Sequence, residues 1–381
     1  VKEARSEVMG MADQIEAKLP EIVSALQPST VEDAAVRSIV YREALGVCAA
    51  IAPWNFPLYE PLDLAIPALA AGNAVLLKPS EVTPLTGAAA AEILNHSLPP
   101  SVLQVVQGGE EQGKALVRSD GVDLVAFTGS RAAGKHILQA AAAGNLKRVI
   151  LELGGKNAMI VLDDADIEAA AKFTVRDAFR VSGQVCVSTQ RIYVDEKIAD
   201  RFIGRVGELA RQIRVGNGLD DVDYGPLISS QQKQTVARKI AAAKADGAKA
   251  VIDGSAQSAG ADAILHPTVL VDVDQTSEIM REETFGPVAC IARFRNVEDA
   301  IRLANDTPYG LGAVVFGRDT DRAVLVGREL EAGMVGINKS CHGAKGTPWV
   351  GIKQSGYGWH SGIEGHRQFT VPRVVSRAKG D

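Results

Sequence analysis

One cysteine, Cys186, lies in a stretch that can carry covalent chemistry. The stretch, VSGQVCVSTQRIYV, places it after a Ser-Gly pair and just ahead of a strand-like run. A thiolate attacks carbonyl carbons and leaves readily from a thioester, which divides a difficult reaction into two easier steps. A lone cysteine is more often an inert buried residue, and Cys48 and Cys290, inside apolar runs, fit that description. Cys341 precedes His342, but adjacent loop residues rarely align for proton transfer. The cysteine pattern alone leaves both interpretations of Cys186 open.

Two polar residues elsewhere in the chain could assist a nucleophile. Asn55 in PWNFP has prolines on both sides that favour a rigid, extended segment, and its amide can donate to an oxyanion. The alternative for Asn55 is an Asx-type turn. Glu152 in LELGGK ends a strongly apolar strand, where desolvation would make its carboxylate a better general base. The alternative for Glu152 is an exposed carboxylate at a strand end.

Two strand ends could bind a nucleotide, although the sequence contains no exact G-x-G-x-x-G motif. In FTGSRAAG, Gly129 and Ser130 stand at a strand-to-helix junction, where backbone N–H groups and the helix dipole can face a phosphate. In KPSE, Lys78 and Glu81 follow another strand, and a carboxylate there can accept both ribose hydroxyls and repel a 2′-phosphate. Ordinary solvated turns are the alternative at both places.

The composition is that of a globular protein without a polyanionic partner. A chain of 381 residues favours two domains. The net charge of −5, with scattered basic residues, leads us to expect no nucleic-acid or membrane partner. The longest apolar stretch is interrupted by Pro67, Gly72 and Asn73, which argues against a membrane span. The widely spaced cysteines form no C-x-x-C pair, so we expect no metal site, a reducing compartment and a cytoplasmic location.

The order of elements predicts two α/β domains. After a helical pattern over residues 3–25, short apolar strands alternate with Ala-rich helices up to residue 155, which indicates βαβ units and a mostly parallel sheet. A second α/β stretch begins with NAMIVLDDADIEAAAKF, where Asp163 or Asp164 is the expected helix N-cap. The segment HRQFTVPRVV is predicted to be a last strand.

Seven motifs in a fixed order carry a resemblance to a known family. They are PWNFP, KPSE, FTGS, ELGGK, GQVC, EETFGPV and NDTPYGLGAVVF. Together they resemble the NAD(P)-dependent aldehyde dehydrogenase family, from about Tyr41 to the C terminus. The implied fold is α/β, with a Rossmann-type cofactor domain, an α/β catalytic domain and a small β oligomerisation element.

The resemblance also divides the chain into domains. Residues 1–26 and 45–153 would form the dinucleotide-binding domain and residues 154–352 the catalytic domain. Residues 27–44 and 364–378 would form the oligomerisation element, so we expect a homodimer or a homotetramer. Because the chain opens on Val1 rather than Met, we expect an incomplete or processed N terminus.

The resemblance implies a role for each catalytic candidate. Cys186 matches the nucleophile that adds to the aldehyde as a thiohemiacetal, and Asn55 matches the side chain that holds the oxyanion together with the backbone N–H of Cys186. Hydride transfer to the nicotinamide leaves a thioester, and Glu152 matches the base that activates water to hydrolyse it. Members that transfer the acyl group to coenzyme A generally lack this base, which favours a free acid as product. An NADP-preferring or coenzyme A-acylating enzyme and a non-catalytic member are the alternatives.

Cofactor and substrate residues are assigned in the same way. We expect NAD as cofactor, with NADP as the alternative. The positions that match the family's cofactor contacts are Lys78 and Glu81 at the adenosine ribose, Gly129 and Ser130 at the pyrophosphate, and Glu283 and Phe285 at the nicotinamide ribose and ring. Trp54 is also expected to contact the cofactor. The residues expected near the substrate are Phe56, Tyr59, Glu60, Asp63, Val185 and Val187. Glu60 and Asp63, three residues apart, would favour a polar or cationic aldehyde; the alternative is that they complement the helix dipole.

Overall fold

A computed structural model describes residues 1–258 and 262–379 of the chain. The chain folds into two compact units. The N-terminal unit comprises Lys2–Leu153, Ala344–Val350 and the chain from Gly356 on, and the central unit comprises Gly154–Gly343 and Gly351–Ser355, together with Val1.

The N-terminal unit alternates helices with strands up to Leu153. Its helices in this part are α1 (Lys2–Leu26), α2 (Tyr59–Ala70), α3 (Pro84–Asn95), α4 (Glu110–Arg118) and α5 (Arg131–Ala141). The strands are β1 (Ser29–Glu32), β2 (Val36–Ala44), β3 (Val47–Ile51), β4 (Ala74–Lys78), β5 (Leu103–Val105), β6 (Leu124–Gly129) and β7 (Arg148–Leu153). Strands β3 to β7 pair in parallel with one another, which confirms the predicted βαβ arrangement.

The central unit is a second α/β layer structure. Its strands are β8 (Asn157–Val161), β9 (Thr189–Asp195), β10 (Lys249–Ile252), β11 (Thr268–Val271), β12 (Val288–Phe294), β13 (Gly312–Phe316) and β14 (Met334–Ile337). The helices are α6 (Ile167–Phe179), α7 (Ala199–Arg211), α8 (Ser230–Ala245), α9 (Glu278–Arg281), α10 (Val297–Asn305) and α11 (Thr320–Arg328), with a 3₁₀ turn at Arg180–Gly183. The sheet order is β10-β11-β12-β9-β8-β13-β14, and only the β10–β11 pairing within it is antiparallel.

Strands β8 and β13, in the middle of the central sheet, are almost entirely apolar because both of their faces are covered. Along β8, Ala158 and Ile160 pack into one buried cluster, whereas Met159 and Val161 pack into another on the opposite face. Side chains alternate across a strand, so a strand covered on both faces reads as a continuous apolar run.

The last elements of the chain return to the N-terminal unit. They are β15 (Trp349–Val350), β16 (Gly356–Tyr357), β17 (Trp359–His360), α12 (Gly362–Arg367) and β18 (Thr370–Ala378). Strand β16 pairs antiparallel with β7, which gives the sheet order β16-β7-β6-β3-β4-β5, and β15 pairs with β17. Strand β18 pairs with β2 in a separate sheet of order β1-β2-β18.

Two local predictions are wrong. Helix α6 begins at Ile167, and its N-cap is Asp166, whose side chain accepts the Ala169 N–H. Asp163 and Asp164 bind other groups instead: Asp163 pairs with Lys197 and Arg322, and Asp164 accepts the backbone N–H of Asp319. The predicted last strand is present as β18, but it begins later than predicted, at Thr370, because His366 and Arg367 belong to α12.

Within the described ranges, no helix combines the length and the apolar composition needed to cross a membrane. The same ranges contain no group of three or more His, Cys, Asp or Glu side chains arranged to hold a metal ion.

Candidate active site

Cys186 differs from the other cysteines in its exposure. It is partly exposed, whereas Cys48, Cys290 and Cys341 are buried. Burial raises the pKa of the Cys48 and Cys341 thiols to about 12 and that of Cys290 to about 11. These three thiols are therefore protonated at neutral pH, and the interpretation of Cys48 and Cys290 as inert core residues is confirmed.

The segment that carries Cys186 is fixed by its backbone. Asn157 donates from Nδ2 to the carbonyl oxygens of Cys186 at 2.7 Å and Ser188 at 2.9 Å. A Cβ on Gly155 would lie 2.7 Å from the Cys186 carbonyl oxygen, so the segment can approach this closely only because residue 155 is glycine. Val185 and Val187, on either side of Cys186, are both buried. The close approach at Gly155 and the hydrogen bonds from Asn157 thus fix the position of the thiol-bearing segment.

Glu283 and Phe285 lie in a loop of the central unit held by buried polar groups. Glu283 accepts the backbone N–H of Gly155 on Oε1 at 3.0 Å. The neighbouring Thr284 accepts from Lys156 Nζ at 2.8 Å, and its N–H donates to Gln190 Oε1 at 3.0 Å. Lys156 is fully buried, and burial lowers its pKa from 10.5 to about 7.

The sequence did not lead us to predict that Lys156 and Gln190 hold the loop that carries Glu283 and Phe285. The available signal was a lysine directly after the Gly-Gly pair and ahead of an apolar strand, because a lysine in such a place must find buried acceptors. Gln190 carried no comparable signal.

Glu152 lies in β7 of the N-terminal unit, between two neighbouring strands. Its register partners are Thr128 on β6 and Gly356 on β16. The residue is 5% exposed, which excludes the exposed strand-end alternative. The Trp349 indole donates from Nε1 to Glu152 Oε1 at 3.1 Å. Glu152 is therefore a buried carboxylate with a neutral donor on one oxygen.

The PWNFP segment links β3 to α2. Trp54, Asn55 and Phe56 are half-buried, and the chain bends at these residues instead of running extended as predicted. The reason is the start of the helix: Phe56 already accepts the backbone N–H of Glu60 at 3.1 Å, which turns the segment towards α2.

The predicted cofactor residues of the N-terminal unit lie at the carboxyl ends of parallel strands. Lys78 ends β4, is buried, and lies 3.6 Å from the exposed carboxylate of Glu81. Gly129 ends β6, and Ser130 caps α5 by accepting the Ala133 N–H at 3.2 Å. Ligands of open α/β sheets bind at this edge, and a helix N-terminus there suits a phosphate. A cation, an exposed carboxylate and a helix N-terminus at one sheet edge are groups that suit a dinucleotide.

The two acids predicted to face the substrate are buried inside the N-terminal unit. On α2, Asp63 forms an ion pair with Lys18 of α1, and its Oδ2 lies 2.8 Å from His360 Nδ1. Burial raises the pKa of Glu60, and His360 opposes part of this rise. Lys18 Nζ also lies 5.2 Å from the centre of the Tyr59 ring.

Burial sets the charge of the basic members of this group. It lowers the pKa of Lys18 to about 8 and that of His360 to about 4. At neutral pH the imidazole is therefore neutral, and Lys18 is the cation beside the two acids.

The comparisons with known proteins define the class and the family of this α/β protein. The model of the aldehyde dehydrogenase family matches residues 1–375. The chain belongs to this family of NAD(P)-dependent enzymes.

Relatives in two organisms share about two fifths of the sequence. The chain is 42% identical over 364 residues to the mitochondrial succinate-semialdehyde dehydrogenase of Arabidopsis thaliana, covering 94% of this chain and 68% of that protein. It is also 42% identical over 342 residues to the NADP/NAD-dependent aldehyde dehydrogenase PuuC of Escherichia coli (strain K12), covering 89% and 68%. The crystal structure of lactaldehyde dehydrogenase from Escherichia coli superposes with a TM-score of 0.93 at 36% identity, covering 97% and 78% of the two chains. The predicted α/β aldehyde dehydrogenase fold is thereby confirmed.

Proposed function

We propose that this chain oxidises an aldehyde to the carboxylic acid with Cys186 as nucleophile. The thiolate adds to the carbonyl carbon, and the Asn55 amide with the backbone N–H of Cys186 donates to the oxyanion, an interaction of a kind worth roughly 10²–10³ in rate. NAD, when bound, supplies the acceptor for the hydride. The acyl group left on Cys186 is a thioester, which water hydrolyses after Glu152 takes its proton.

The observation that carries the proposal is the partial exposure of Cys186, in contrast to the other three cysteines, whose thiols are buried and protonated. The test is NADH formation from a panel of aldehydes without coenzyme A. We expect Cys186→Ala to abolish NADH formation while the circular dichroism spectrum stays unchanged. Cys290→Ala is the matched control and should keep its activity. Full activity of Cys186→Ala would refute the role of this thiol, and a strict need for coenzyme A would refute hydrolysis.

NAD is the cofactor that the exposed Glu81 favours. We propose that Lys78, Glu81, Trp54, Gly129 and Ser130 hold the adenosine and pyrophosphate parts, and that Glu283 and Phe285 hold the nicotinamide ribose and ring. The Glu81 carboxylate would accept the ribose hydroxyls and repel a 2′-phosphate. Glu81→Gln should lower the ratio of kcat/KM with NAD to kcat/KM with NADP.

A polar or cationic aldehyde is the proposed substrate, contacted by Phe56, Tyr59, Val185 and Val187. Of the two acids, Glu60 would carry the preference, because Asp63 already pairs with Lys18 and contacts His360.

The domain roles and the assembly are also proposals. Residues 1–26 and 45–153 would bind the dinucleotide, residues 154–352 would carry the chemistry, and residues 27–44 and 364–378 would join subunits into a homodimer or homotetramer. The β1-β2-β18 sheet supports the last point, because it exposes apolar side chains, namely Val31, Val374 and Val375. Light scattering of the purified protein tests the assembly. Four free thiols suit a reducing compartment, and we propose the cytoplasm.

A further inference from the structure

Trp349 is connected to the buried acids of α2 through a short β-ribbon of the N-terminal unit. In the β15–β17 pairing, Trp349 lies opposite His360. The two rings stack with centroids 6.2 Å apart and an interplanar angle of 22°. Cross-strand pairs of this kind stabilise one side-chain arrangement, so His360 limits the positions that the indole can adopt.

His360 is itself held from the helix side. It is buried, and its Nδ1 lies 2.8 Å from Asp63 Oδ2. Asp63 is in turn paired with Lys18. The chain of contacts therefore runs from α1 and α2 through His360 to Trp349 and ends on Glu152.

In the contact between Trp349 and Glu152, the indole is always the donor and the carboxylate always the acceptor. An indole N–H only donates and does not titrate in water. Its bond to Glu152 Oε1, at 3.1 Å, therefore stabilises the ionised carboxylate relative to the protonated one. A phenylalanine in place of Trp349 would keep an aromatic ring beside His360 and remove the N–H donor to Glu152.

We propose that Trp349 is a positioning residue for thioester hydrolysis, which orients Glu152 and keeps it ionised through its indole N–H, and that His360 and Asp63 hold Trp349 for this purpose. The proposal rests on the proposed function, since it takes Glu152 as the base.

The step that Trp349 assists is a hydrolysis without change of oxidation state. Water oxygen bonds to the acyl carbon, Glu152 takes one water proton, the C–S bond breaks, and the sulfur leaves as the Cys186 thiolate. The acid is released, and the proton on Glu152 passes to solvent. Only the base form of Glu152 accepts the proton, so the loss of the indole donor should slow this step and leave the earlier attack by Cys186 unchanged.

The experiment is a single turnover of Trp349→Phe, with enzyme in excess over propanal or 3-aminopropanal and with NAD present. NADH formation reports the acylation, and the mass of the quenched protein reports loss of the acyl group. We expect an unchanged rate of NADH formation and a roughly 10- to 150-fold slower loss of the acyl group, the size expected for one hydrogen bond to a charged group. The acidic limb of the hydrolysis rate should also move to higher pH.

Other titratable groups near the ribbon also influence the pH dependence of hydrolysis, but they do so equally in the wild type and in the variant. Asp63 of α2 lies 2.8 Å from His360 of the ribbon, Lys18 of α1 pairs with Asp63, and Glu60 interacts electrostatically with His360. All four groups are present in the variant. The matched control is Trp359→Phe, in the same ribbon and 38% exposed. It should hydrolyse the acyl group at the wild-type rate.

Two results would overturn the proposal. One is a wild-type rate of acyl loss in Trp349→Phe at every pH. The other is an equal slowing of acylation and hydrolysis, which would show that Trp349 only shapes the substrate site. Glu152→Gln distinguishes a failure of the Trp349 proposal from a failure of the proposed function. Wild-type hydrolysis in that variant would refute Glu152 as the base, and with it the proposed function, whatever Trp349→Phe shows.

Discussion

The backbone N–H of Gly155 donates to Glu283 Oε1 at 3.0 Å, across 128 residues of sequence. Gly154, the preceding residue, packs directly against the same carboxylate, and a Cβ there would collide with it. The Gly-Gly pair thus shapes the position of Glu283 from two sides, once by donating a hydrogen bond and once by leaving room.

Gly154→Ala should displace the Glu283 carboxylate. Because Glu283 is proposed to hold the nicotinamide ribose, we expect the Kd for NAD to rise about tenfold, which corresponds to roughly 1.4 kcal/mol. Fluorescence titration with NAD measures it. Gly204→Ala is the control, because a Cβ at this position in α7 meets no atom within 4 Å. An unchanged Kd in Gly154→Ala would contradict the proposed role of Glu283.

Lys156→Met tests the buried lysine under the Glu283–Phe285 loop. Burial lowers the pKa of Lys156 to about 7, whereas the unfolded chain keeps the proton up to about 10.5. Between these values the unfolded state binds more protons, so this group makes the wild type more stable as pH rises. The free energy of unfolding of the wild type minus that of Lys156→Met should therefore increase from pH 7 to 9, by at most about 1.4 kcal/mol per pH unit.

Urea unfolding at pH 7, 8 and 9 provides this comparison. Lys249→Met is the control, since Lys249 is exposed on β10 and pairs with Asp272. Its difference from the wild type should stay flat. A flat difference for Lys156→Met as well would mean that the buried lysine does not change its charge in this range.

Lys18→Met tests the anchoring of α1 on α2. The variant leaves the Asp63 carboxylate buried without its cation, and we expect a loss of about 3 kcal/mol in the free energy of unfolding. Lys172→Met removes a comparable but exposed pair with Glu168 and should cost less than about 0.5 kcal/mol. Equal losses in the two variants would show that burial of the Lys18–Asp63 pair is energetically unimportant.

Glu60→Gln tests the proposed preference for cationic aldehydes. Because burial raises the pKa of Glu60, its charge develops at higher pH than that of an ordinary glutamate. The ratio of kcat/KM for 3-aminopropanal to that for propanal should rise between pH 5 and 7.5 in the wild type and stay flat in Glu60→Gln. Above this range Lys18 begins to lose its charge, since its pKa is about 8. A rise of equal size in Glu60→Gln would assign the preference to another group.

The parallel sheets were predictable because strands buried on both faces are short apolar runs bounded by turns. Runs such as NAVLLKP and RVILELGG mark β4 and β7 for this reason. Exact ends were less predictable: three nearby aspartates can each cap α6, and tertiary contacts at Asp163 and Asp164 leave Asp166 for the helix. Helix α12 was missed because GIEGHR is short and contains two glycines.

The site was less accessible to sequence reasoning than the fold. The inertness of Cys48 and Cys290 followed from their apolar neighbours and is confirmed by their burial. The contact between Trp349 and Glu152 joins residues 197 apart and depends on a ribbon with strands of two residues, which leaves no periodic signal. The pairing of Asp63 with Lys18 likewise spans two helices. The catalytic roles of Cys186, Asn55 and Glu152 remain predictions that rest on the family.

The central claim is that catalysis passes through a thioester on Cys186 that Glu152 helps to hydrolyse. The most direct measurement is mass spectrometry of Glu152→Gln, quenched after one turnover with propanal and NAD and digested into peptides. The account predicts one NADH per enzyme and a propanoyl group on the peptide that contains Cys186. An acyl group on a different cysteine, or NADH formed with no acyl group on the protein, would contradict it.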